Sequence, residues 1–260
     1  MMQEQLYAHF HPDEHRFVDK AAEWVERAEQ HTVKLTDFLD PRQIFILTTL
    51  ANRNPDVQVR FDGGHPGAER KRALVAPDYR VLDDEEMGIS LIEITSEDEK
   101  LKELDHGDFM GAILGLGIKR DKIGDIYVRE DGCHFLVASE IADYIRLNLS
   151  QVHRLHVRTE QLPLNKLKAT ETKLDEMFLS VASLRLDGIV SDVYRLSRAK
   201  VLVPIKAGRC KVNWKQEEDP SKPLKQGDVV SLQGFGRFKV LEVEGVTKKG
   251  RYRLKIGKYA

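Results

Sequence analysis

The sequence predicts an α+β protein in three parts: a mainly helical N-terminal region, a central β-α-β-β-α-β unit, and a basic C-terminal module of paired helices on a small sheet. Three observations carry this. The apolar residues recur at helical spacing through residue 54 or so, and the period then changes to two. Over residues 89–160 the order of periods is strand, helix, hairpin, helix, strand. Charge is segregated as well: residues 181–260 hold 18 Lys/Arg against 8 Asp/Glu, a net of +10, whereas the preceding 180 hold 23 against 34, a net of −11. A basic module carried on an acidic body suits a polyanionic ligand; a solvated lysine-rich surface is the plainer reading.

The chain of 260 residues is long enough for two or three domains, and a hydrophobic content of 41% is enough to build their cores. No apolar run approaches the roughly 18 residues of a membrane span, and the N-terminus lacks a basic region followed by an apolar core, so a cytoplasmic protein is expected. Cys133 and Cys210 make no disulfide framework and are expected to be buried free thiols.

In the first part, residues 1–76, Phe17, Ala21, Trp24, Val25 and Ala28 share one helical face. A second helix begins at Asp40-Pro41, an N-cap followed by proline at the first helical position, and runs to the breaker at 52–55. Val57, Val59 and Phe61 then alternate ahead of the turn Asp62-Gly63-Gly64. The Arg70-Lys71-Arg72 cluster has two readings, a phosphate contact or the polar lead-in to an edge strand Ala73-Leu74-Val75.

The second part, residues 77–162, places a strand at 89–95, a helix at 104–116, a hairpin of 125–129 and 133–138, a helix at 139–149 and a last strand at 152–159. This is the split βαβ, or ferredoxin-like, order shared with RNA-recognition modules. The RNA-binding version stacks bases on aromatic strand residues; only Tyr127, His134 and Phe135 stand on the two hairpin strands. Gly115-Leu116-Gly117 ends a helix rather than opening one, which makes it a C-cap and not a dinucleotide fingerprint. The loop behind it displays Lys119, Arg120 and Lys122, secondary candidates for RNA contact alongside Arg70, Lys71 and Arg72.

Residues 163–182 read as a partly helical linker. From residue 183 on, Leu186, Ile189, Val190 and Val193 form an apolar helix face, Ser197 stands at an N-cap and Gly208 at a C′ position. Cys210, Val212 and Trp214 alternate with Lys211, Asn213 and Lys215 as a strand would, and further short strands fall at 229–232, 238–243 and 252–256.

No catalytic constellation stands out: there is no Gly-x-Ser-x-Gly, Walker loop, His-Glu-x-x-His or Cys-x-x-Cys. His9, His11 and His15 are closely spaced, but near a terminus expected to fray. No catalytic residue, metal or cofactor is therefore assigned, and binding is the expected activity.

Four submotifs carry a resemblance. Arg185-Leu186-Asp187, Ser197-Arg198-Ala199-Lys200, Gly208-Arg209-x-Lys211-Val212-Asn213 and Gly227-Asp228-Val229 resemble, in order and spacing, the αL RNA-binding motif named for ribosomal protein S-four. Two positions depart from it: Pro204 falls within the second helix, and Trp214 stands where many relatives have glycine. Upstream, Asp37-Phe38-Leu39-Asp40-Pro41, Phe61-Asp62-Gly63-Gly64, Ala68-Glu69-Arg70-Lys71-Arg72, and His106-Gly107-Asp108-Phe109-Met110-Gly111 through Ile123-Gly124-Asp125-Ile126 are similar to the bacterial YlmH family. With residues 183–260 as an αL (S-four-like) domain, the resemblance spans nearly the whole chain.

The resemblance implies a non-enzymatic, ribosome-associated protein that binds ribosomal RNA and tRNA on obstructed large subunits carrying peptidyl-tRNA. A monomer is expected. Arg185, Arg198, Lys200, Lys206, Arg209 and Lys211 are the candidates for phosphate contact, and Ser197 and Asn213 for hydrogen bonds to ribose or phosphate. Two other classes stay open: an RNA-modifying enzyme of pseudouridine synthase or methyltransferase type with an αL targeting domain, and a protein-interaction adaptor working through the acidic body.

Overall fold

A computed structural model of the chain describes residues 7, 9–98, 101, 103–170, 174–246 and 250–259. It is α+β, and the chain divides into two compact units, Met1–Thr170 and Glu171–Ala260.

The first unit opens with helix α1 (His15–Glu29), strand β1 (Lys34–Leu35), helix α2 (Pro41–Ala51), and strands β2 (Val57–Asp62) and β3 (Arg72–Pro77). Helix α2 starts as its sequence requires. Asp40 accepts from the Gln43 N–H at 2.8 Å while Gln43 Oε1 accepts from the Asp40 N–H at 3.0 Å, a reciprocal capping box with proline next in line. The three strands are antiparallel in the order β1-β3-β2. The helices bury Val18, Trp24 and Leu47 against Ala73 and Val75, and the opposite side of β3 buries Leu74 and Ala76 with Leu82 and Met87. Strand β3 is therefore central and buried throughout, not the edge strand expected. The two-residue β1, hidden in what reads as a connector, is the partner that covers it.

Four strands form a second antiparallel sheet: β4 (Ile89–Thr95), β5 (Ile123–Arg129), β6 (Gly132–Ala138) and, later, β9 (Arg158–Leu162), ordered β5-β6-β4-β9. Helices α3 (His106–Gly115) and α4 (Ala142–Asn148) cover one face, burying Ile92, Phe109, Ile113, Phe135 and Ile145. The last strand differs from expectation. Residues 151–156 make a small hairpin, β7 (Gln151–Val152) with β8 (Leu155–His156), turning at His153 with φ 53°, and the sheet strand follows at 158–162. Buried Val152, Leu155 and Val157 carry the apolar signal that reads as one strand.

The second unit is one six-stranded antiparallel sheet with two helices. Its elements are β10 (Leu174–Val181), α5 (Leu186–Tyr194), α6 (Arg198–Lys206), β11 (Cys210–Val212), β12 (Lys215–Gln216), β13 (Val229–Leu232), β14 (Gly236–Val246) and β15 (Tyr252–Tyr259). The order is β10-β15-β14-β13-β11-β12. The stretch read as a partly helical linker thus holds a strand, because Met177, Leu179 and Val181 alternate into the core beneath an acidic opening at Asp175-Glu176. Residues 171–173 of that stretch lie outside the described residues. Cys133 and Cys210 are buried and free, as expected.

Candidate nucleic-acid interface

The second unit presents its cations from α5, α6 and β11. The apolar face of α5 packs Leu186, Ile189, Val190 and Val193 inward, and the helix ends at Arg195 in the left-handed region, φ 53°. Ser197 then caps α6, its Oγ accepting from the Lys200 N–H at 3.4 Å. Pro204 sits one turn from the end of α6, where it removes the bond to the Lys200 carbonyl without breaking the helix. Gly208, at φ 69°, turns the chain into β11.

Arg185 is not a free cation. Its guanidinium forks onto Asp187 at 3.1 and 3.0 Å, and the same carboxylate accepts from the Gly188 N–H at 2.8 Å. The hydrogen bonds from Arg185 hold the buried Asp187 carboxyl below the usual carboxylate range. Asn213 is likewise committed. Its amide donates to Asp228 at 2.8 Å and accepts from the Val229 N–H at 2.9 Å, closing the β11–β12 turn onto the start of β13. Both turn residues are left-handed, Asn213 at φ 51° and Trp214 at φ 65°, which is the type I′ geometry that favours Asn-Gly.

The other candidates are exposed. Arg198, Lys200, Lys206, Arg209 and Lys211, together with Arg195, have no carboxylate within ion-pair distance among the described residues. Arg195, Arg198 and Lys200 stand at the capped start of α6 and Lys206, Arg209 and Lys211 at and beyond its end, and such exposed cations suit a phosphate backbone.

The secondary candidates are placed otherwise. Arg72 is 4% exposed and donates to the Thr36 and Gly88 carbonyls at 2.7 and 2.6 Å. Arg70 donates to the Ile123 and Phe38 carbonyls at 3.1 and 3.0 Å, and Arg120 to Ile123 at 2.6 Å. Burial, with the Arg70 charge alongside, pushes Arg120 down to about 10, still protonated at neutral pH. Lys122 bridges Asp37 at 2.6 Å and Glu140 at 2.8 Å. Arg70, Arg72 and Lys122 thus join segments of the two sheets of the first unit, whereas Arg120 closes on its own segment. Of the loop cations, Lys119 is exposed and Lys71 half-buried.

The face of the second sheet that a base-stacking module would leave open is covered. Phe38 packs on Leu91, Leu136 and Ala138, with Leu167 beside them. His134 is 1% exposed, its Nδ1 accepting from the Lys168 N–H at 3.1 Å and its Nε2 facing Glu93 at 3.0 Å. The chain's own Leu167 and Lys168 thus lie against that face. Among the described residues no group of three or more His, Cys, Asp or Glu is placed to hold a metal ion, and no helix is long and apolar enough to cross a membrane.

The fold and these cations define an α+β protein with a surface suited to a polyanion. Two family models match the chain: "YlmH, N-terminal" over residues 13–80 and "Putative RNA-binding domain in YlmH" over residues 83–166. The Bacillus subtilis (strain 168) protein named "Ribosome-associated protein quality control protein P2" is 38% identical over 250 residues, which are 96% of each chain. A solved structure, "Cell division protein ylmH from Streptococcus pneumoniae", superposes with a TM-score of 0.54 at 28% identity, covering 61% of this chain and 96% of that one. The chain belongs to the YlmH family.

Proposed function

We propose that this protein is a non-catalytic, cytoplasmic factor of ribosome-associated quality control. It grips ribosomal RNA and tRNA on obstructed large subunits carrying peptidyl-tRNA, and residues 183–260 are its αL (S-four-like) RNA-binding domain. The observation that carries this reading is the set of exposed cations on α6 and β11 that have no ion pair among the described residues. The names of the B. subtilis relative and of the matched family model support it. In this division residues 1–76 and 77–162 form the body, and the protein works as a monomer. Arg198, Lys200, Lys206, Arg209 and Lys211 meet phosphates directly. Ser197 and Asn213 shape the surface through the helix cap and the turn, and Asp187 orients Arg185. Lys119 and Lys71 are the secondary contacts.

If about five phosphates are neutralised, log affinity falls with log salt at a slope of about −4 by counterion release. The Arg198→Ala/Lys211→Ala double variant is expected to co-sediment poorly with large subunits and to show a shallower slope. Unchanged co-sedimentation would sink the assignment. Sequencing of cross-linked RNA separates the rival classes: ribosomal RNA and tRNA reads support the grip, whereas one modified site points to an enzyme and background reads to an adaptor.

A further inference from the structure

Among the described residues of the second unit the large apolar side chains Phe178, Val203 and Phe235 are exposed; Val203 stands on the cationic helix, and Phe235 is the aromatic one on the cationic side. The turn Gln233-Gly234-Phe235-Gly236 joins β13 to β14, with both glycines in the left-handed region at φ 83° and 97° and open space where a Cβ would stand at either. The turn is fixed to the segment between α6 and β11, because the Gln233 N–H donates to the Arg209 carbonyl at 3.0 Å. Phe235 is 43% exposed, yet it is anchored. Its ring meets Tyr194 at 5.7 Å and 48°, and Tyr194 in turn meets the core residue Phe238 edge-on at 6.0 Å. One face of a positioned ring is therefore presented to solvent between two glycines that crowd nothing.

The contrast with Phe178, also exposed, sharpens the point. Around Phe178 on β10 and β15 the charges are matched, Lys255 with Glu176 at 3.0 Å and Arg253 with Glu244 at 3.5 Å. The turn that carries Phe235 is instead tied through Gln233 to Arg209, which is exposed and without an ion pair among the described residues. An exposed aromatic face on a turn bonded to a cation-bearing segment suits an unpaired nucleotide, because every base has a π-face and is joined through its ribose to a phosphate.

We infer that Phe235 is a stacking platform for one unpaired RNA base, with Arg209 taking the adjoining phosphate. This rests on the reading of the second unit as the RNA grip and adds to it the kind of RNA that is held: a looped-out or single-stranded nucleotide rather than duplex backbone alone. Base choice at Phe235 is loose, since stacking makes no donor-acceptor code.

The test uses the full chain and purified large ribosomal subunits as the probe. Phe235→Leu keeps the apolar contact with Tyr194 but removes the π-face, and is expected to weaken binding about tenfold while leaving the salt slope unchanged. Phe235→Trp is expected to restore it. Ultraviolet cross-linking of the wild-type complex is expected to leave a nucleotide on the peptide spanning residues 234–237. Wild-type binding by Phe235→Leu, a Phe235→Trp variant as weak as the leucine one, or cross-links in this unit that spare that peptide would each overturn the inference. Failure of the wild-type chain to bind subunits at all would instead remove the grip itself.

Discussion

The Asp125 carboxylate accepts from the backbone N–H groups of both Glu69 and Arg70, at 2.6 and 3.1 Å. One side chain from β5 thereby satisfies two donors of the 68–71 loop, and Tyr127 adds a longer bond at 3.4 Å. Asp125→Ala leaves both donors without their partner and is expected to cost about 3 kcal/mol. Urea unfolding followed by Trp24 fluorescence in a Trp214→Phe background checks it, because the one tryptophan left then reports on the first unit alone. A loss below about 1 kcal/mol would mean that water replaces the carboxylate.

Gly124 meets Phe38 closely. A Cβ on it would lie 2.8 Å from Phe38 Cε1 and 3.1 Å from Leu136 Cβ, both on fully buried side chains. Gly124→Ala is expected to destabilise by about 2 kcal/mol through overpacking. Adding Phe38→Leu is expected to recover part of that loss, a non-additivity measurable in a double-mutant cycle.

Asp187 makes the second unit acid-sensitive. Its carboxyl is held low in the folded state, so its contribution is complete above the unfolded value near 3.9 and is lost as pH falls through the folded one. The thermal midpoint of this unit is expected to fall below about pH 4. In Asp187→Asn that acid step should shrink, at the cost of a lower midpoint at neutral pH.

Trp214 carries a backbone that glycine holds more easily. Trp214→Ala keeps the left-handed strain and loses the ring, whereas Trp214→Gly loses the ring and the strain together. The glycine variant is expected to exceed the alanine variant by about 1 kcal/mol in chemical unfolding. Equal stabilities would mean the turn relaxes to another geometry.

Burial pushes the Cys210 thiol up to about 12, with Glu217 adding to it, and burial pushes Cys133 up as well. Neither thiol is expected to react with a disulfide reagent at pH 8 in the native protein, and both should react in urea.

The cores were legible wherever period and cap agree. Leu186, Ile189, Val190 and Val193 announce α5, Asp40-Pro41 announces α2, and the strands at 89–95 and 229–232 fall where alternation puts them. Pairing was not legible, because it depends on partners far along the chain. Lys34–Leu35 gives no local sign that it covers β3, and Leu174–Val181 opens with two acids that mask a strand. At the candidate interface the positions of the cations could be read, but not their availability. Nothing in the Arg185-Leu186-Asp187 spacing settles that the arginine is paired, and nothing near Asn213 announces Asp228, fifteen residues on, as its partner. Phe235 falls between the strands expected at 229–232 and 238–243, and nothing in that spacing announces a ring exposed yet packed on Tyr194.

Arg70 and Arg72 serve as mortar between carbonyls that the two sheets of the first unit leave open: Phe38 and Ile123 for Arg70, Thr36 and Gly88 for Arg72. A lysine offers no planar fork that can reach two such oxygens at once. Exchange of arginine for lysine therefore sorts the cations by role. At Arg198 or Arg209 it keeps the charge and much of the grip, whereas at Arg70 or Arg72 it loosens the body. An alanine scan that follows ribosome binding alone would give both groups the same score.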